Sequence, residues 1–235
     1  MSRFVPLLVI VLAVAACSSD AATTTTAAPA TTTTTGTPTT VEATPTATAA
    51  VPDEGVSIEV PAGWTTYQGA NYAIGLPELW VDGRAFIDDE ELQADIAGRI
   101  EEFDLGGFES LAGSLLANEG VDFLFNLGRF SESFGENLNI LSFPAGAADD
   151  LSLARDLGPG QLEAAGATDV TAEVIELERF PAVFISYRFT NVGVDAGNQY
   201  WLVTDETIFV LTFSGKDDAD TDVWRQMVDT FRPGP

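Results

Sequence analysis

The chain has 235 residues, a formal net charge of −26 and no histidine. So acidic a balance excludes a nucleic-acid partner, because phosphate binding needs a basic face, and it disfavours direct docking on anionic headgroups. The missing imidazole excludes Ser-His-Asp and Cys-His nucleophiles, His-ligated zinc, His general bases and any histidine pH switch.

The first element is a basic start, Ser2-Arg3, followed by an apolar run from Phe4 to Ala16. Thirteen residues fall short of the roughly 20 that cross a bilayer, so the run reads as a signal peptide over 1–16 rather than a spanning helix. Val14, Ala15 and Ala16 ahead of Cys17 form a lipobox. A peptidase groove admits small side chains just before the cut, and the thiol that follows accepts the diacylglyceryl group. Cys17 is the only cysteine, and a lone thiol in an oxidising compartment needs such a reason. The expected location is the extracytoplasmic face of a bacterial membrane, held by lipid on Cys17.

Residues 17–55 form the second segment. Ala21 to Ala50 contains 15 Thr, 9 Ala and 3 Pro with almost no charge. Nothing there can offset the chain entropy, so it reads as a disordered stalk that spaces a domain from the membrane. As a flexible coil its root-mean-square reach is on the order of 30 Å.

Residues 56–235 carry 32 acids against 9 bases and are expected to form one globular domain. Val56 to Val60 and Trp64 to Gln68 read as short strands around Pro61-Ala-Gly63, and Asn71 to Leu76 as another ended by Pro77, with Trp80-Val81 beyond. Leu92, Ile96, Ile100 and Phe103 lie a turn apart, which predicts an amphipathic helix over 88–104. Asp88, Asp89, Glu90 and Glu91 stand at its start, where the helix dipole favours negative charge, and are read as a cap rather than a metal site. After Gly106-Gly107 a second helix is expected to Asn118, with Phe108, Leu111 and Leu115 on one side.

Val121 to Leu127 and Asn137 to Phe143 alternate as strands do. A helical stretch over 148–165 is expected to break at Gly158-Pro159-Gly160. Four strands follow, Thr168 to Leu177, Ala182 to Thr190, Gln199 to Thr204 and Thr207 to Ser214, with connections short enough for an antiparallel meander. The closing helix, Thr221 to Phe231, gathers Val223, Trp224, Met227, Val228 and Phe231 on one face. The fold class is α+β, an antiparallel sheet flanked by helices.

Five phrases in order carry a resemblance: Tyr72-Ala-Ile-Gly-Leu-Pro-Glu-Leu-Trp80, Glu136-Asn-Leu-Asn-Ile-Leu141, Pro181 to Arg188, Tyr200 to Phe213 and Thr230-Phe-Arg232. Behind a lipobox and a Thr-rich stalk, the domain resembles the PsbP-like fold of the photosystem extrinsic protein, a nuclear-transport factor family and bacterial lipoproteins of the LpqN type. The resemblance implies an α/β/α sandwich and a binding or adaptor module with no shared catalytic constellation. LpqN-type proteins are associated with envelope lipid handling and partner binding. The two helices over Asp88 to Asn118 depart from smaller members of the fold. Within the phrases, Pro77 and Trp80 read as a strand end with its packing anchor, and Asn137 and Asn139 as outward positions of a half-buried strand.

No catalytic residue, cofactor or metal site is expected. Lys216, the only lysine, sits in a wet Ser-Gly-Lys-Asp-Asp turn. Asp218, Asp220 and Asp222 alternate like the first half of a calcium loop, yet Val223 stands where that loop needs Gly, so Asp220 or Asp222 reads as a helix cap. Two functions remain. One is a tethered adaptor docking on an envelope protein through a sheet edge, a helix face or the acidic surface. The other is a carrier of a lipid or other small hydrophobic molecule, with Phe103, Phe108, Leu111, Leu115 and Leu116 lining an apolar groove. A carboxylate-based hydrolase is the weakest reading, because with 32 acids some pairs lie close by chance.

Overall fold

The computed structural model describes residues 56–91, 93–94, 121–131, 134–145, 151–190 and 194–234. Among the described residues the strands are Thr65–Gln68 (β1), Tyr72–Leu76 (β2), Trp80–Asp82 (β3), Val121–Ser131 (β4), Phe134–Pro144 (β5), Thr168–Glu176 (β6), Pro181–Phe189 (β7), Val194–Val203 (β8), Thr207–Gly215 (β9) and Arg232–Pro233 (β10). The helices with both ends among the described residues are Gly83–Asp88 (α1), Leu151–Ala164 (α2) and Thr221–Thr230 (α3). Seven strands form one antiparallel sheet in the order β3-β4-β5-β9-β8-β7-β6, and β1-β2-β10 form a small second sheet. The expected α+β class and the β6–β9 meander are both present.

Helix α3 covers one face of the large sheet. Trp224, Met227 and Val228, with Phe231 just past its end, pack with Leu138, Ile140, Leu202, Leu211 and Phe213. The spacing puts these side chains on one stripe of the helix, and burying that stripe is what makes a ten-residue helix stable. Asp220 caps it, its Oδ1 accepting from the Val223 N–H at 3.2 Å. The Thr230 hydroxyl accepts from the Gly75 N–H at 2.7 Å and donates to the Met227 carbonyl, tying α3 to β2.

Helix α2 covers the other face over β6, β7 and β8, where Ala154 and Leu162 join Val183, Ile185, Tyr187, Trp201 and Val210. This helix runs through Gly158-Pro159-Gly160 without the expected break. Gly158 explains why: a Cβ there would stand 2.4 Å from Ile185 Cδ1, so glycine lets the helix lie against β7. The burial gained on that face offsets the hydrogen bond that Pro159 removes. A Schellman motif ends α2, with the Ala167 N–H bonded to the Leu162 carbonyl and Gly166 at φ +100°.

The N-terminal part of the domain differs from the sequence reading in two places. Residues 56–60 are not a strand; they lead into the turn in which the Trp64 N–H meets the Pro61 carbonyl at 3.1 Å. A separate short helix that the sequence reading did not anticipate, α1, precedes the one expected from 88: it starts at Gly83, where the Asp82 side chain caps it by accepting from the Arg84 N–H. It ends at Asp89, whose Oδ1 accepts from the Glu91 N–H at 3.0 Å and restarts helical geometry at 90. Of the acidic cluster, Asp89 is thus a cap. The remainder of the 88–104 helix and the helix to Asn118 lie outside the described residues.

Candidate functional site

Side chains of paired residues in antiparallel strands project on the same side, so the register assigns each residue to a face. On the α2 side of the large sheet, Asn137 and Asn139 of β5 pair with Ser214 and Thr212 of β9. Thr212 and Ser214 in turn pair with Gln199 and Gly197 of β8. These residues make a polar row across an otherwise apolar face. Asn137 is 1% exposed and Asn139 6%. Their reading as outward positions of a half-buried strand is therefore wrong: both side chains are buried.

The row is hydrogen-bonded in one direction. Asn137 Nδ2 donates to the Gly135 carbonyl at 2.8 Å, and Asn139 Nδ2 donates to Asn137 Oδ1 at 3.2 Å. A carbonyl can only accept, so it fixes the orientation of both amides. Asn139 Oδ1 is left buried without a donor. Beside it, Trp201 Nε1 donates to Gln199 Oε1 at 2.7 Å and Gln199 Nε2 to Thr212 Oγ1 at 3.1 Å. The Tyr187 hydroxyl faces Ser214, and burial pushes that phenol above the ordinary tyrosine range. Asn139 also pairs laterally with Phe123, which stacks on Phe125 at 6.0 Å, and Phe125 meets the edge of Phe86 from α1 at 5.3 Å. Neutral amides and hydroxyls thus meet an aromatic wall.

Two titratable clusters lie on the α3 side. Tyr72 donates to Asp122 Oδ2 at 2.6 Å, and Tyr67 lies near the same carboxylate. Burial first, and Asp122 second, push both phenols far above the ordinary range, so neither can shuttle protons near neutrality. Burial also raises the Asp82 carboxyl, which is occupied as a cap. In the second cluster Trp224 Nε1 donates to Glu136 Oε1, while Arg129 Nε stands 3.2 Å from Glu136 Oε2 and its Nη1 3.0 Å from Asp218 Oδ2. These contacts latch the loop before α3 to β4 and β5.

Burial lifts the Glu136 carboxyl above its ordinary range despite the favourable Trp224 and Arg129 contacts. A carboxyl raised on folding binds its proton more tightly in the native state. Its contribution to stability is present at low pH and lost as pH rises through the folded-state value. The stability of the wild type minus that of Glu136→Gln is therefore expected to grow as pH falls from about 7 to about 5. Urea unfolding of both proteins across that range measures it; a difference that shrinks would contradict the burial-driven shift.

Cys17, Val14, Ala15 and Ala16, and the groove residues Phe103, Phe108, Leu111, Leu115 and Leu116, all lie outside the described residues. Trp80 is buried in the core and its N–H meets the Pro77 carbonyl, as a strand-end anchor should. Of the three alternating aspartates, Asp220 caps α3, Asp222 lies in its first turn and Asp218 pairs with Arg129. Lys216 is partly exposed, 3.9 Å from Asp195. Among the described residues no group of acids could hold a metal ion, and no helix is long and apolar enough to cross a membrane.

The large sheet also has an open edge. Strand β6 is its last member, with no strand beyond it among the described residues. It carries Asp169, Glu173 and Glu176, and Val174 is 45% exposed.

No family model and no curated protein matches the chain. Among solved structures, cyanobacterial PsbP (CyanoP) from Synechocystis sp. PCC 6803 is similar over 77% of this chain and 99% of its own, at 16% identity and a TM-score of 0.44. A crystal structure from Bacteroides thetaiotaomicron VPI-5482 is similar over 74% of this chain at 12% identity and a TM-score of 0.34; this chain spans about half, 48%, of its length. The α+β class rests on the strand order and helix placement of the chain itself.

Proposed function

We propose that the chain is a lipid-anchored, extracytoplasmic, non-catalytic adaptor that docks an envelope protein through the β6 edge. The observation that carries this reading is the open edge, a nine-residue strand ending a seven-stranded sheet. Its outer backbone N–H and C=O groups are a template for an added strand. Asp169, Glu173 and Glu176 oppose pairing with a second copy of the same acidic edge and favour an extended basic segment. The lipobox at Val14 to Cys17 and the Thr-rich stalk support presentation of this edge away from a membrane. The non-catalytic reading is supported by how the buried acids are used, Glu136 as a latch and Asp82 as a cap.

The test places a photo-crosslinking side chain at Val174 of the full chain on its own cells, with Leu79, exposed at the other end of the sheet, as the control. A discrete protein adduct is expected from position 174 alone, lost in the Glu173→Lys/Glu176→Lys variant. No adduct at 174, or an adduct indifferent to charge reversal, sinks the edge reading. In the same cells Cys17→Ser is expected to move the protein from the membrane fraction to the medium; retention in the membrane would sink the anchor.

A further inference from the structure

The turn that follows β6 fixes which of its backbone groups face outward. In that turn the Leu177 N–H bonds the Phe180 carbonyl at 3.1 Å, so these two residues face each other as a hydrogen-bonded pair. Such pairs alternate with non-bonded ones along an antiparallel ladder. Counted back through the register, Ile175, Glu173 and Thr171 turn their backbone groups inward to β7, and Glu176, Val174 and Ala172 turn theirs outward.

Both ends of this outward row are closed. At one end the Glu176 carbonyl accepts from Arg225 Nη2 at 2.8 Å. At the other, β6 has one residue more than β7 between Thr168 and Thr171, and Asp169 takes φ +54°. A bulge of this kind breaks the ladder and bends the edge. The open template is therefore 171–176, with the N–H and C=O groups of Ala172 and Val174 at its centre.

Within that window the side chains alternate between faces. Ala172, Val174 and Glu176 lie on the α2 side, Glu173 and Ile175 on the α3 side. Asp169 stands 3.9 Å from Arg188, but Glu173 and Glu176 are exposed and neither carboxylate forms an ion pair among the described residues. Three residues apart on a strand of period two, these carboxylates project on opposite faces. An added strand with both its bases on one face can meet only one of them. Between the two acids lie Val174 and Ile175, which suit apolar partners.

We propose that the β6 edge selects an extended segment carrying two basic residues three apart, with apolar residues between them. One base serves each face of the sheet. The inference rests on docking at β6 and adds to it the spacing that the partner must have.

The probes are two dye-labelled peptides of one composition, Thr-Val-Lys-Val-Val-Lys-Val-Thr and Thr-Val-Lys-Val-Lys-Val-Val-Thr, titrated with the full chain and read by fluorescence anisotropy. The first should bind saturably and the second about fivefold more weakly, the size of one cross-strand ion pair. Glu176→Gln removes one of the two pairs and should bind both peptides alike. Val174→Pro withdraws an outward N–H that the fold does not use, so it should fold and bind neither. Equal binding of the two peptides, lost in Val174→Pro, overturns the spacing and leaves docking at the edge standing. Binding that survives Val174→Pro sinks the edge as well. Discrimination that persists in Glu176→Gln, or no saturable binding of either peptide, also overturns the proposal. Should Val174→Pro not fold, the Glu176→Gln comparison decides.

Discussion

Trp224→Ala is expected to lower folding stability by about 3–5 kcal/mol, measured as a fall in the urea midpoint at unchanged slope. The indole is fully buried and stacks on Phe213 at 5.3 Å, so truncation opens a cavity between α3 and the sheet that the backbone cannot close. It also removes the N–H donated to Glu136 Oε1, leaving a buried carboxylate with Arg129 and Asn126 as its remaining partners. Trp224→Phe separates these causes: it restores most of the volume without the donor. If the donor matters, combining Trp224→Phe with Glu136→Gln gives a coupling energy of roughly 0.5–3 kcal/mol. A loss below about 1 kcal/mol for Trp224→Ala would mean that α3 is not the keystone of this core.

Why α3 was legible in the sequence is clear from its pattern: apolar residues spaced by turns of a helix, behind an aspartate cap and beyond an acidic turn. The β6–β9 meander was legible for a similar reason, since short polar breaks separate runs too short for helices. Helix α2 defeated the local rule. Gly158-Pro159-Gly160 breaks a helix judged by propensity alone, but Gly158 is there for the closeness of β7, a tertiary fact invisible in a window of a few residues. Helix α1 has no such signal, because its cap, Asp82, is itself the last residue of a strand and the helix is only six residues long.

The polar row was misread through an assumption about the sheet rather than about its residues. Alternation of Asn with Leu and Ile in β5 fits a strand with one wet face. The neighbouring strands argued otherwise: Tyr200-Trp-Leu-Val203 and Ile208-Phe-Val-Leu211 are apolar at every position, the mark of strands buried on both faces. A strand laid beside them shares their cover, so its asparagines were bound to be buried.

The second large effect falls on the pair that ends the polar row. Tyr187 is directly opposite Gly197, and a Cβ on that glycine would stand 2.4 Å from the Tyr187 ring. The ring occupies the space a side chain would otherwise fill, lying on bare backbone with its edge to Phe189 at 5.4 Å. Tyr187→Ala should cost about 3–5 kcal/mol by emptying that space. Gly197→Val should cost about 1–3 kcal/mol in the native background, because an aromatic ring cannot yield as a flexible side-chain end can. In the Tyr187→Ala background the sign should reverse. The valine then enters the vacated space, gains β-propensity over glycine, and recovers part of the loss. The double mutant is therefore expected to be more stable than Tyr187→Ala alone by about 1 kcal/mol. Additive losses in denaturant unfolding would show instead that the ring and the glycine meet by chance, and that the packing of β7 on β8 does not depend on the absence of a side chain at 197.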